Sequence, residues 1–332
     1  MSSSISISSS GKPGFVSRDR RMIAFFAMLA CGAGVTSLLF AAAVAFGLRN
    51  AVILRDTRQA IEFKLAPLSV PGRPPYLLVI AGSNGIFSID SPTLRRATGM
   101  PVANLAIQWS YTAYVFERAL DLIRPGDVIL LPLEYEYFSS IEGRTRLESC
   151  LLITQDRRSL SSPMALLAAM SECSPMVMVD GLILQTAVAL GMRAPVYDPM
   201  SQLTPEGDMR DNVAGANLYR TKTRGTLAVP RNRPFGNPRL ASAIRAAAAK
   251  GAKVFLSYPV RPEKSGDFPL VSAEWVEQFN RWAESLNAKV ISTPEEHVFP
   301  IGCFYDAPYH LHQGCTPRNS EIYAAALRPY LR

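Results

Sequence analysis

An apolar run that ends abruptly at a small-residue turn sets the terms for this chain: Leu77-Leu78-Val79-Ile80-Ala81, then Gly82-Ser83-Asn84-Gly85. A short apolar run bounded by turn residues reads as a buried strand. The turn after such a strand exposes side chains at the sheet's C-terminal edge, where open α/β sheets bind ligands. Ser83 sits at that point, and we expect it to carry any chemistry the chain performs.

The same pattern recurs. Pro101 to Ala106 reads as a second strand and Asp127 to Leu133 as a third. Between them Ala113, Phe116, Leu120 and Ile123 fall at helical spacing. From Asn237 onward the order is helix (Arg239–Lys250), strand (Val254–Tyr258), helix (Ala273–Leu286), short strand (Lys289–Ile291) and closing helix (Arg318–Leu331). Strands alternating with helices predict an α/β domain with a parallel sheet covered on both faces. Residues 139–236 break the rhythm. They hold two apolar helical stretches, Pro163–Ser171 and Pro175–Leu190, and a Pro/Asn/Gly/Arg-rich stretch from Arg193, so they read as an insertion of helices and loops.

The N-terminus makes a separate demand. Residues 1–21 are Ser-rich, carry Arg18, Arg20 and Arg21, and predict a disordered cytoplasmic tail. Met22 to Leu48 contains no charged residue. About 20 apolar residues cross a bilayer, and a basic flank stays on the cytoplasmic side. The expectation is a single transmembrane anchor over 22–48 in the inner (cytoplasmic) membrane. A connector at 49–75 and a periplasmic or extracellular domain at 76–332 follow. Ala43-Val44-Ala45 would suit a signal-peptide cleavage site, but the apolar run exceeds the roughly 7–15 residues of a signal core.

An exported domain also suits the cysteines. Outside the apolar stretch there are four: Cys150, Cys173, Cys303 and Cys315. Oxidising compartments favour disulfides. The pairing with short loops is Cys150–Cys173 and Cys303–Cys315. No C-x-x-C or H-x-x-x-H cluster suggests a metal site. The net charge of +8 is spread along the chain without a Lys/Arg block interleaved with aromatics, so nucleic acid is not an expected partner.

A serine nucleophile needs a base and a group that orients the base. The chain has three histidines, His297, His310 and His312. Asp306 lies four residues before His310 in a loop near the C-terminus. That loop can return to the edge where Ser83 sits, with Asp306 on one ring nitrogen and Ser83 on the other. A Cys303–Cys315 bridge would staple the loop. At the end of the third strand Glu134-Tyr135-Glu136-Tyr137 offers carboxylates and aromatic faces to a sugar, or a strand edge capped by arginines.

Gly82-Ser83-Asn84 after an apolar strand, the segment from Pro125 to Phe138, and the terminal stretch Phe304 to Gly314 resemble the SGNH/GDSL hydrolase-like proteins. They are similar in particular to the membrane-anchored envelope and exopolysaccharide-modification branch, DltD-like or alginate-acetylation-like. The resemblance covers roughly 76–138 and 237–331. It implies a flavodoxin-like three-layer α/β/α sandwich, with Ser83 as nucleophile, His310 as base and Asp306 as orienter. It further implies ester hydrolysis or acyl (acetyl) transfer on an envelope or secreted polysaccharide without a cofactor, with a multi-pass membrane acyltransferase as partner. The sequence departs from the family pattern where oxyanion donors belong. Asn84, Asn104 and Ser110 are the remaining candidates, and Glu134 and Tyr135 stand in place of Gly-x-Asn-Asp. An ionised carboxylate only accepts hydrogen bonds. A weak or inactive binding or assembly subunit of a polysaccharide export system is therefore the alternative expectation.

Overall fold

A computed structural model describes residues 15–139, 146–155, 163–173, 175–190, 202–210, 212, 235–263 and 271–331. Its centre is a parallel sheet of five strands. In chain order the strands among the described residues are β1 (Leu77–Val79), β2 (Val102–Asn104), β3 (Val128–Pro132), β4 (Lys253–Ser257), β5 (Arg261–Pro262), β6 (Lys289–Val290) and β7 (Val298–Phe299). The main sheet runs β2-β1-β3-β4-β6, every pair parallel, with Leu77 opposite both Val102 and Val128, and Leu130 opposite Phe255. β5 and β7 form a separate parallel pair.

Side chains alternate across a pleated strand, and here both sets are buried. Leu78, Ile80, Ile129, Leu131, Val254 and Leu256 enter one apolar cluster, roofed by helices Val52–Leu65, Thr112–Leu120, Pro238–Ala249 and Ala273–Glu284. Leu77, Val79, Val128, Leu130 and Phe255 enter another, covered by helices Ser91–Thr98 and Thr316–Leu327. Continuous apolar strands are what a sheet buried on both sides requires. The expected parallel α/β architecture is therefore present.

The strands' N-terminal edge is pinned by a buried ion pair. Arg73 donates to both Asp127 carboxylate oxygens, at 2.8 and 2.6 Å, and Asp127 also accepts the Tyr76 and Arg124 amides. Local ends follow ordinary capping chemistry. Asp90 accepts the Thr93 amide to open helix Ser91–Thr98. Asn237 and Ser272 cap the helices that follow them.

The N-terminal tail and the insertion differ from expectation. The chain is helical from Phe15, so the part of the tail at 15–21 is not irregular; residues 1–14 lie outside the described ones. Among the described residues no helix is long and apolar enough to cross a membrane. The stretch 22–48 belongs to helix Phe15–Asn50, several of whose side chains are not described. Within the insertion, the two expected helices appear as Pro163–Glu172 and Pro175–Ala189, and an unpredicted one spans Arg146–Gln155. Gly181 of helix Pro175–Ala189 packs so tightly on helix Phe15–Asn50 that a Cβ would lie 1.7 Å from the Gly47 carbonyl oxygen. Much of the expected loop region, 191–201 and 213–234, lies outside the described residues.

Both disulfides form with the expected pairing. Cys150–Cys173 ties helix Arg146–Gln155 to the end of Pro163–Glu172, and Cys303–Cys315 closes a loop of the C-terminal region.

Candidate active site

Ser83 opens a short helix, Ser83–Ser88, directly after β1 and at the C-terminal edge of the sheet. Gly85 allows this helix to sit close to the sheet: a Cβ there would lie 2.4 Å from Ala106 Cβ and 2.8 Å from Ala81 Cβ. The C-terminal loop returns to the same edge. His310 Nε2 is 2.8 Å from Ser83 Oγ, and His310 Nδ1 is 2.6 Å from Asp306 Oδ1. The carboxylate accepts, so Nδ1 carries the proton and Nε2 is left to accept from Ser83. The three residues predicted from sequence as nucleophile, base and orienter are thus brought into one hydrogen-bonded relay. Asp306 is exposed, whereas His310 is partly covered by the Phe87 ring, stacked on it at 4.1 Å between centroids.

The loop is held by contacts that sequence reasoning missed. Ser88 Oγ donates to the Tyr309 carbonyl at 2.6 Å and accepts the Leu311 amide at 3.2 Å, so it grips the residues on both sides of His310. Asn319 Nδ2 donates to the Ser88 carbonyl, and Asn212 Nδ2 donates to the Phe87 and Leu311 carbonyls. The Cys303–Cys315 bond encloses Asp306 and His310. These partners lie 221 residues apart in the case of Ser88 and Tyr309, and no local periodicity signals such a pairing.

The expected oxyanion and substrate residues fare differently. Asn104 is fully buried and its side chain is committed to structure: Nδ2 donates to the Gly85 carbonyl and Asp208, and Oδ1 accepts the Ala106 amide. It steadies the helix that presents Ser83 and offers nothing to a substrate. Asn84 Nδ2 donates to the Pro132 carbonyl at 2.6 Å, so the amide side chain is turned into the protein. Ser110 is buried in the turn Trp109–Tyr111. Tyr135 is a core residue, packed edge-on against Trp275 at 5.3 Å, and presents no face to a sugar. Glu136 opens the short helix Glu136–Ser139.

Glu134 reaches the serine. It is buried, and its Oε1 accepts the Asn84 amide at 3.0 Å and lies 3.3 Å from Ser83 Oγ. Gly82 makes this possible, because a Cβ there would fall 2.5–2.8 Å from the Glu134 carboxylate.

The other two histidines stand apart. His297 is completely buried between Ser257 Oγ and Asn319 Oδ1, and burial lowers its pKa to about 4. His312 Nε2 lies 3.5 Å from Cys315 Sγ. Cys303, His312 and Cys315 form one group of potential metal donors among the described residues, but both sulfurs are in a disulfide and neither is the thiolate that binds a metal.

No family model matches the chain, and no curated protein matches it.

Proposed function

We propose that this protein is a membrane-anchored, exported SGNH-like serine esterase or O-acyltransferase acting on an ester of an envelope or secreted polysaccharide. One observation carries the reading: the Asp306–His310–Ser83 relay at the C-terminal edge of a parallel sheet. In this reading His310 Nε2 takes the Ser83 hydroxyl proton as Oγ bonds to the acyl carbon, and the carbonyl π pair moves onto oxygen. The tetrahedral intermediate collapses with loss of the alcohol, which receives the proton from His310. An acyl-serine remains. Water or a sugar hydroxyl then gives its proton to His310 and takes the acyl group, and His310 returns that proton to Ser83 Oγ as the acyl–Oγ bond breaks. Asp306 fixes the ring and offsets the imidazolium charge.

The strand order β2-β1-β3-β4-β6, with helices against both faces, supports the flavodoxin-like sandwich of that family. The two disulfides fit an oxidising compartment. The anchor reading rests on helix Phe15–Asn50, 36 residues long, in which 22–48 carry no charge and Met22, Ile23, Phe25, Phe26, Met28 and Leu29 are exposed. The described residues alone hold no helix long and apolar enough to cross a membrane; the reading counts the whole uncharged stretch 22–48, which at about 1.5 Å per residue exceeds the roughly 30 Å hydrocarbon core. On this reading the C-terminal domain is exported, a polysaccharide is the acyl acceptor or donor, and a multi-pass acyltransferase is the partner that supplies acyl groups.

The test is labelling of the full chain in detergent by a fluorophosphonate, with turnover of p-nitrophenyl acetate alongside. Wild type should label and turn over in a Ser83-dependent way, and Ser83→Ala should do neither. Signal that persists in Ser83→Ala would refute the assignment.

A second reading is a non-catalytic glycan-binding or assembly subunit. The Glu134 carboxylate favours it, because it holds an amide that an oxyanion would need.

A further inference from the structure

A serine hydroxyl has one proton, and Ser83 Oγ faces two acceptors: His310 Nε2 at 2.8 Å and Glu134 Oε1 at 3.3 Å. Acyl transfer needs that proton directed to His310. It also needs donors around the acyl oxygen, where negative charge develops. Ser83 and Asn84 open a short helix here, where the first amides lack the i−4 partner of a helix interior. The Asn84 amide is one of them, and it is already taken by Glu134 Oε1 at 3.0 Å. One carboxylate oxygen therefore accepts from the same amide, and lies beside the same hydroxyl, that a reacting acyl group would use.

The fit is built from several places in the chain. Glu134 follows β3, is almost wholly buried, and lies against Gly82, where any side chain would collide with its carboxylate. The Asn84 side chain, bound to the Pro132 carbonyl two residues before Glu134, ties the serine turn to the strand end that delivers the carboxylate.

We propose that Glu134 is an internal plug of the acyl-oxygen pocket: its carboxylate occupies the oxyanion position, holds the Asn84 amide, and competes with His310 for the Ser83 hydroxyl proton. The inference rests on Ser83 being the nucleophile. In the plugged arrangement the pocket repels a developing oxyanion. It becomes competent when the carboxylate is withdrawn or made neutral, and an acyl substrate must displace it. This turns an apparent defect of the site into a restraint on it, one that a physiological acyl donor or partner overcomes fully and a small ester only in part.

The experiment compares fluorophosphonate labelling rates of wild type, Glu134→Gln and Glu134→Asp in the full chain, with Ser83→Ala/Glu134→Gln as control and thermal melting to verify folding. Glutamine keeps the shape, removes the charge and adds a donor. Aspartate keeps the charge but draws it back from the serine, and it serves if the glutamine variant does not fold. The expected result is labelling ten- to a thousandfold faster in a folded Glu134 variant, abolished in the Ser83→Ala double variant. Wild type that labels at Ser83 as fast as, or faster than, both folded variants overturns the plug and leaves the nucleophile standing. Absence of Ser83-dependent labelling in all forms overturns both.

Discussion

Ser88 Oγ donates to the Tyr309 carbonyl at 2.6 Å, joining the helix that carries the nucleophile to the residue just before the base. The same oxygen accepts the Leu311 amide, so one buried hydroxyl fixes the backbone on either side of His310. The distance between Ser83 and His310 is therefore set from within one short helix.

Ser88→Ala leaves that carbonyl and that amide without this partner. Loss of buried hydrogen bonds costs about 1–3 kcal/mol. Misplacing a catalytic group by an ångström costs about a hundredfold. We expect Ser83-dependent turnover to fall ten- to a hundredfold through kcat, with KM nearly unchanged and the melting temperature only modestly lowered. A KM rise with kcat preserved would show that Ser88 does not position His310.

Reduction should act on the same loop. The Cys303–Cys315 bond closes a segment with a sequence separation of 12 that contains both Asp306 and His310. Closing a loop of about 15 residues is worth about 3 kcal/mol in the chain-entropy account. Replacing both cysteines by serine should slow Ser83 labelling about tenfold. Replacing Cys150 and Cys173, which join helices of the insertion, should leave the labelling rate within about twofold. Equal effects of the two double variants would contradict a local staple.

Periodicity and turn chemistry made the sheet legible, because strands buried on both faces are written as apolar runs and their helices at a 3.6-residue spacing. Ser83, Asp306 and His310 were legible for a related reason: they lie at strand ends or in a loop, where a polar residue stands out. Glu134 was visible as a carboxylate at the wrong place, yet nothing local told that it would reach Ser83 while Tyr135 beside it turned into the core. That difference follows from the alternation of side chains past the strand end. Asn104 misled because a polar residue at a strand terminus looks the same whether it faces substrate or, as here, the Gly85 carbonyl and Asp208. Ser88, Asn212 and Asn319 were illegible, since their partners are joined only by the fold. The Arg146–Gln155 helix was missed for want of a clear amphipathic stripe; its residues Cys150, Leu151 and Leu152 are all buried in succession.

The Arg73–Asp127 pair gives a stability prediction. Both side chains are buried, and each Asp127 oxygen accepts from Arg73. Burial raises the Asp127 pKa, but the bonds from Arg73 and the Tyr76 and Arg124 amides outweigh it and hold the carboxyl below its ordinary value. Stability from this group is thus present above the unfolded pKa of about 3.9 and is lost as pH falls through the lower folded value. Asp127→Asn removes the guanidinium's counter-charge, leaving it the Leu68, Pro74 and Leu122 carbonyls, and should cost about 3–5 kcal/mol in chemical denaturation at neutral pH. Arg73→Met/Asp127→Asn should cost less than the sum of its single variants. Strict additivity would mean that the pair is not coupled.

His297 makes the opposite kind of pH statement from a surface histidine. Its Nδ1 donates to Asn319 Oδ1 at 3.0 Å, its Nε2 lies 3.2 Å from Ser257 Oγ, and its ring stacks on Tyr323 at 4.6 Å. Asn319 in turn holds the Ser88 carbonyl, so this buried group stands behind the candidate site. Burial penalises the imidazolium and outweighs the Asn319 bond and the nearby Glu296 charge, leaving a pKa of about 4 against 6.5 for a free side chain. Above pH 6.5 the ring is neutral whether folded or unfolded. As pH falls from 6.5 to 4, the unfolded chain takes up a proton that the folded chain refuses. Unfolding is favoured by on the order of 3 kcal/mol across that window. The difference between wild type and His297→Gln isolates this contribution from the other titrating groups. Denaturation at pH 7, 6, 5 and 4.5 should show wild type losing stability more steeply than His297→Gln. Parallel stability curves for the two proteins over that range would show that His297 gains its proton in the folded state and is not the neutral core group described here.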